Sequence, residues 1–284
     1  MMTAISIKTT SVLGAVFLLL RLTVGAQTVG LEIAKNAEPV DQTSFSATAC
    51  GPAAMLNALK FGSESHRTVY QKLTGAGDVA KLRFVIGRYF DQPSLIFEHQ
   101  KRFTKAGGVA HSDLLAALRD CAEENRLPEL QGTEWVRDQG TASVEFVRDT
   151  HRKLRFSLIQ ETLPILGLRS QIARYDSETA SWNWRKMSDH FIVVTAVPDE
   201  LREGAHGFSF DYVEPNGGKL ASGFIHAERR QAFAGYQGTA AKGRWLDGNR
   251  FLLVTAPSSY SLINGDRAKW HDRTLITLSY IISL

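Results

Sequence analysis

Apolar positions recur at helical spacing through the first half of the chain and in short extended runs through the second. Behind Cys50, the pairs Ala53/Leu56 and Met55/Leu59 keep that spacing, and Pro52 suits a first helical turn, where its missing N–H has no intrahelical role. The pattern predicts a helix entering at Cys50, helical segments near residues 69–73 and 78–89, and a helix over 112–125. In the last, Ser112 and Asp113 follow Gly107 and Gly108 as a cap signal, and Leu114, Leu115, Leu118 and Cys121 form the apolar stripe. From Val144 onward the pattern reads as short strands over 163–168, 190–197, 208–214, 251–255 and 274–282, separated by Gly, Pro, Asn and Asp.

Helices first and strands second predict an α+β layout of two lobes whose seam forms a cleft. The helical lobe would span about residues 40–130 and carry a cysteine; an antiparallel sheet lobe, about 144–284, would carry a histidine and an acid. No internal repeat, low-complexity tract or heptad seam interrupts this organisation. The apolar C-terminal run 275–284 is too short for a membrane anchor and reads as a closing strand.

Composition agrees with one folded unit: 284 residues, 44% of them hydrophobic, can bury a sizeable core. The first 26 residues read as an export signal. Lys8 is the only charge of a short n-region, an apolar run follows over 12–20, and Val24-Gly25-Ala26 offers small residues for cleavage, so the expected mature domain is 27–284 in the periplasm or outside the cell. Cleavage would take Lys8 and Arg21 from the 33 basic residues and none of the 29 acidic ones, leaving a nearly neutral chain. With no basic stripe to follow phosphates, no nucleic-acid partner is expected. The expected partner is a peptide or amide substrate, with the chain a monomer that takes no cofactor and keeps no stable membrane insertion once the signal is removed.

Candidate chemistry centres on Cys50. The free N–H groups and positive dipole end of its helix favour a thiolate; the alternative is a small buried residue beneath a helix start. Cys121, the only other cysteine, reads as core, and a Cys50–Cys121 bridge would abolish the nucleophile. A thiol nucleophile needs a base, and His190 opens the apolar run Phe191 to Val197, a strand buried on both faces. Residues 208–214 alternate cleanly and should pair with it as a hairpin. If Val197 opposes about Gly207, Glu214 lies directly across from His190 on the same face and can orient the imidazole; Asn216 is the fallback orienter, and Asp211 falls on the opposite face. The Cys50 amide can donate to an oxyanion, and Gln42, eight residues upstream, offers a second donor or is an ordinary exposed glutamine. Trp182, Trp184 and Trp245 could line a groove, though they read more simply as partly buried core. No phosphate loop, His-Glu-x-x-His zinc helix or Gly-x-Ser-x-Gly elbow appears, and the eight histidines are too scattered for a metal site.

Gln42, Ala49-Cys50-Gly51-Pro52-Ala53-Ala54, His190 leading Phe191 to Val197, and Tyr212-Val213-Glu214-Pro215 with Gly217-Gly218 resemble papain-like cysteine peptidases, nearest the bacteriocin-leader-processing type. The resemblance covers about residues 40–220 and implies a two-lobed fold with Cys50 as nucleophile, His190 as base, Glu214 where Asp is usual, and Gln42 in the oxyanion hole. Two features depart from that pattern: Gln42 sits about two residues further from the cysteine than usual, and glutamate is one methylene longer than aspartate. Leu56-Asn57-Ala58-Leu59 also resembles phytochelatin synthases, which makes an acyl or peptidyl transferase the near alternative to a hydrolase. A non-catalytic exported binding module is the alternative from another class. Specificity would sit in the loops 130–144 and 221–249.

Overall fold

Helix α1 (Cys50–Phe61) starts at the expected cysteine and is buried on every side from Cys50 to Leu59, because its small residues let neighbouring elements approach closely. It ends at Gly62, whose N–H bonds the Ala58 carbonyl. The computed structural model describes residues 27–33, 36–134, 144–178, 181–227, 234–237, 244–247, 251–256 and 273–284; the expected signal segment lies outside them. Against α1 pack α2 (Glu64–Lys72), capped by the Ser63 hydroxyl, and α3 (Gly77–Val85), which runs on into a π-helical turn (Ile86–Phe90). Helix α4 (His111–Asn125) packs there too and stops at Arg126, a left-handed residue whose N–H bonds carbonyls of the last turn. Its expected cap signal does something else. No side chain caps α4, and the buried Asp113 carboxylate instead takes Ser94 Oγ and the Leu95 N–H, both at 2.7 Å.

The strands, in chain order, are β1 (Thr28–Gly30), β2 (Phe103–Thr104), β3 (Gly108–Val109), β4 (Gln131–Glu134), β5 (Ile165–Asp176), β6 (Ser181–Pro198), β7 (Gly207–Glu214), β8 (Lys219–Ala227), β9 (Ala234–Gln237), β10 (Arg244–Asp247), β11 (Leu252–Thr255) and β12 (Arg273–Ser283). Six of them close a barrel. Going round, β6 pairs β5, β5 pairs β12, β12 pairs β11, β11 pairs β8, β8 pairs β7, and β7 returns to β6, every pairing antiparallel. β1 extends β6 beyond the end of β5, and β4 adds to β12. Phe208, Phe210 and Tyr212 are buried on one face of β7 while Ser209 and Asp211 between them are exposed, the alternation that closure demands. Glu214 continues the buried row at the strand's end.

This architecture corrects the expected fold class. The protein is a closed six-stranded antiparallel barrel with five helices among the described residues, not a papain-like two-lobed arrangement of a helical lobe beside an open sheet lobe. Two signals account for the difference. Residues 221–227, assigned to a specificity loop over 221–249, form most of β8, which links β7 to β11 and closes the ring. Residues 144–159, placed where strands were to begin, form α5 (Val144–Ile159), which packs on β6, β7, β8 and β12. Helices and strands are therefore not segregated along the chain.

Candidate active site

The site forms where the N-terminus of α1 meets the mouth of the barrel. Ala49 contributes no side-chain cap, so the first N–H groups of α1, those of Cys50 and Gly51, have no partner within the helix. Gly51 is required for the approach: a Cβ there would lie 2.2 Å from Val109 Cγ1, so β3 sits directly on this turn. Phe191 of β6 flanks it from the barrel side.

His190 and Glu214 meet across β6 and β7, with Nε2 at 2.6 Å from Oε1, both side chains buried. Glu214 Oε1 also accepts the Asn216 N–H at 2.9 Å. The fallback orienter thus acts through its backbone, fixing the carboxylate rather than touching the imidazole. Cys50 lies close enough to the same ring to raise its proton affinity. With Nε2 taken by the carboxylate, the nitrogen left for Cys50 is Nδ1. Burial alone would lower the imidazole's proton affinity, but the adjacent Glu214 charge and the Cys50 contact outweigh it and carry His190 up to about 10. The proton therefore resides on His190 at neutral pH.

The hairpin register differs from expectation by two residues. Val193 faces Val213 and Val194 faces Tyr212, so continuing the ladder puts Glu214 opposite Ile192. Val197 pairs with Val29 of β1 instead of Gly207, which pairs with His226. A shift of two preserves the face, and the longer glutamate spans the diagonal back to His190. Asp211 is exposed and bonds Ser222 Oγ at 2.5 Å, away from the site.

Gln42 is fully buried and not an exposed glutamine. It opens a 3-10 turn (Gln42–Ser44), and further turns through Ser46 and Ala49 take up the extra residues before Cys50. One Nε2 hydrogen is donated to the Ala47 carbonyl at 2.5 Å, which leaves the second; Oε1 is buried with no partner among the described residues. Its backbone N–H donates to the Pro215 carbonyl at 2.8 Å, one residue beyond Glu214.

Cys121 is a buried free thiol, as is Cys50, so no bridge joins them. Trp182 and Trp184 fall on β6 and Trp245 on β10, with side chains outside the described set. Among the described residues no group of three or more His, Cys, Asp or Glu could hold a metal, and no helix is long and apolar enough to cross a membrane. A cavity of about 570 Å³ opens between β1, β7 and β8, lined by Glu32, Thr195, Asp211 and Ser222 among others, away from Cys50.

Two residues of this neighbourhood were assigned no individual role from the sequence alone. Asn57, buried on α1, accepts the Val40 N–H at 2.7 Å and donates to the Val40 carbonyl at 3.1 Å. Asp41 caps the 3-10 turn. Each left a signal: a lone amide among the apolar residues of a helix, and an Asp two residues before a Thr at a turn. The chain matches no protein-family model, and no curated protein matches it.

Proposed function

We propose that this protein is a thiol hydrolase, exported, that cleaves a peptide or amide bond through a Cys50 thioester. The observation that carries the reading is the Nε2–Oε1 contact of 2.6 Å between His190 and Glu214 with the Cys50 thiol on the same ring. An imidazole that keeps its proton beside a thiol is placed to act as the acid of a thiol acyl transfer. In the proposed cycle the Cys50 sulfur attacks the carbonyl carbon, and the oxyanion takes the Cys50 N–H and the second Gln42 Nε2 hydrogen. His190 passes its proton to the leaving amine, then takes one from the water that hydrolyses the thioester, returning the acid and the free thiol. Glu214 holds the ring in place throughout, and stabilises its charge whenever it is protonated.

Alkylation of the folded chain by iodoacetamide across pH 5–9 tests this. Cys50 is expected to react at pH 6 far faster than a free cysteine, and His190→Ala to lose that advantage. A Cys50 no faster than a free cysteine, with His190→Ala unchanged, would overturn the reading.

A further inference from the structure

The nucleophile and the acid arrive on distant parts of the chain, and one short segment is bonded to both. On one side Asn57 of α1 holds both backbone polar groups of Val40. On the other, the Gln42 N–H donates to the Pro215 carbonyl, and Asp41 Oδ1 accepts the Gly217 N–H at 2.9 Å. The same Asp41 carboxylate takes the Thr43 N–H at 2.9 Å and the Thr43 hydroxyl at 2.6 Å, which fixes the turn that Gln42 opens. The fit is close. Gly218 is left-handed at φ +57, and a Cβ there would lie 2.7 Å from the Pro39 carbonyl oxygen.

From these contacts we propose that Asp41 is a positioning residue: it locks the Gln42 turn onto the 215–218 loop, so that the Gln42 amide and the Glu214 carboxylate are held in one frame about Cys50. The proposal rests on Gln42 serving the oxyanion. Asp41 touches neither the thiol nor the imidazole in any recorded contact, so its effect is confined to the donor side. Losing it lets the amide drift while the Cys50–His190–Glu214 contacts stay in place.

Two probes of the same thiol separate these effects. Acylation by p-nitrophenyl acetate passes through a tetrahedral oxyanion: the Cys50 thiolate adds to the ester carbonyl, p-nitrophenolate leaves, and the acetyl thioester is then hydrolysed to acetate and free thiol. Alkylation by iodoacetamide displaces iodide at carbon and forms no oxyanion. With Asp41→Ala, the acylation rate constant is expected to fall about ten- to a hundredfold while alkylation stays within about twofold. Asp41→Asn, which keeps an acceptor for the Gly217 and Thr43 N–H groups, is expected to restore most of the acylation rate. Gly218→Ala gives the same separation by pushing the segment off the loop. An unchanged ratio of acylation to alkylation in both Asp41→Ala and Gly218→Ala overturns the proposal, as does a parallel fall in both rates. Slow alkylation of the unaltered protein would instead overturn the hydrolase reading itself.

Discussion

Glu214 reaches His190 diagonally, from a ladder position that continues opposite Ile192. The contact survives because strand side chains alternate with a period of two, and because glutamate has the reach. Glu214→Gln keeps the shape and removes the charge that holds the proton on His190. Cys50 alkylation at pH 7 is expected to fall at least about tenfold, with the protein still folded by circular dichroism.

The same pair shapes alkaline stability. His190 binds its proton more tightly folded, at about 10, than at its ordinary 6.5, so its contribution is fully present below pH 6.5 and is lost as pH rises through about 10. The melting temperature should fall over that window, and His190→Gln should flatten the fall. Differential scanning calorimetry from pH 6 to 10.5 checks this.

On the acid side His111 acts in the opposite sense. Its ring stacks on Tyr280 with centroids 4.8 Å apart and meets Phe191 edge-on, and burial lowers its proton affinity to about 4. The folded protein binds fewer protons than the unfolded chain between pH 6.5 and 4, so stability is present above 6.5 and lost as pH falls. His66 and His151 are lowered too, by burial first, and add to the loss. His111→Phe keeps the ring contacts and should hold the melting temperature more nearly constant from pH 6.5 to 4.5.

Asn57→Ala strips both partners from Val40 inside the protein. Leaving a buried N–H and C=O unsatisfied costs about 2–4 kcal/mol, read as a lower urea midpoint with little change in slope.

The two thiols should separate by reactivity. Burial drives the Cys121 thiol up to about 11, against a smaller opposing pull from Tyr89 and from Asn125, whose Nδ2 donates to the sulfur at 3.8 Å. Native protein at pH 7 is expected to take one equivalent of iodoacetamide, at Cys50, and a second at Cys121 only in denaturant; mass spectrometry counts the adducts.

Much of this site was legible in sequence as local pattern. The Cys50 helix start follows from Pro52 and the apolar spacing behind it, and β6 and β7 follow from an apolar run and a clean alternation. The face shared by His190 and Glu214 needed only the parity of the register, which tolerated an error of two. The barrel was not legible, because closure depends on β8, where Gly223, Ser222 and the exposed Leu220 and Phe224 dilute the strand pattern. Helix α5 did carry a helical stripe, through Phe146, Val147, Thr150, His151, Leu154 and Leu158, set among enough charge and branched residues to obscure it. Asp41 reaches Gly217 across a separation of 176 residues, which no local pattern encodes.

The strand that bears the imidazole is also the most heavily partnered in the protein: β6 bonds β5 along most of its length, β7 and β1 near its end, and packs on α1 and α5. Loosening His190 therefore means dissolving the barrel, with no milder opening that spares the rest. Heat should silence the thiol chemistry and melt the molecule in a single step, so an inactivation curve and an unfolding curve recorded on one sample would superimpose.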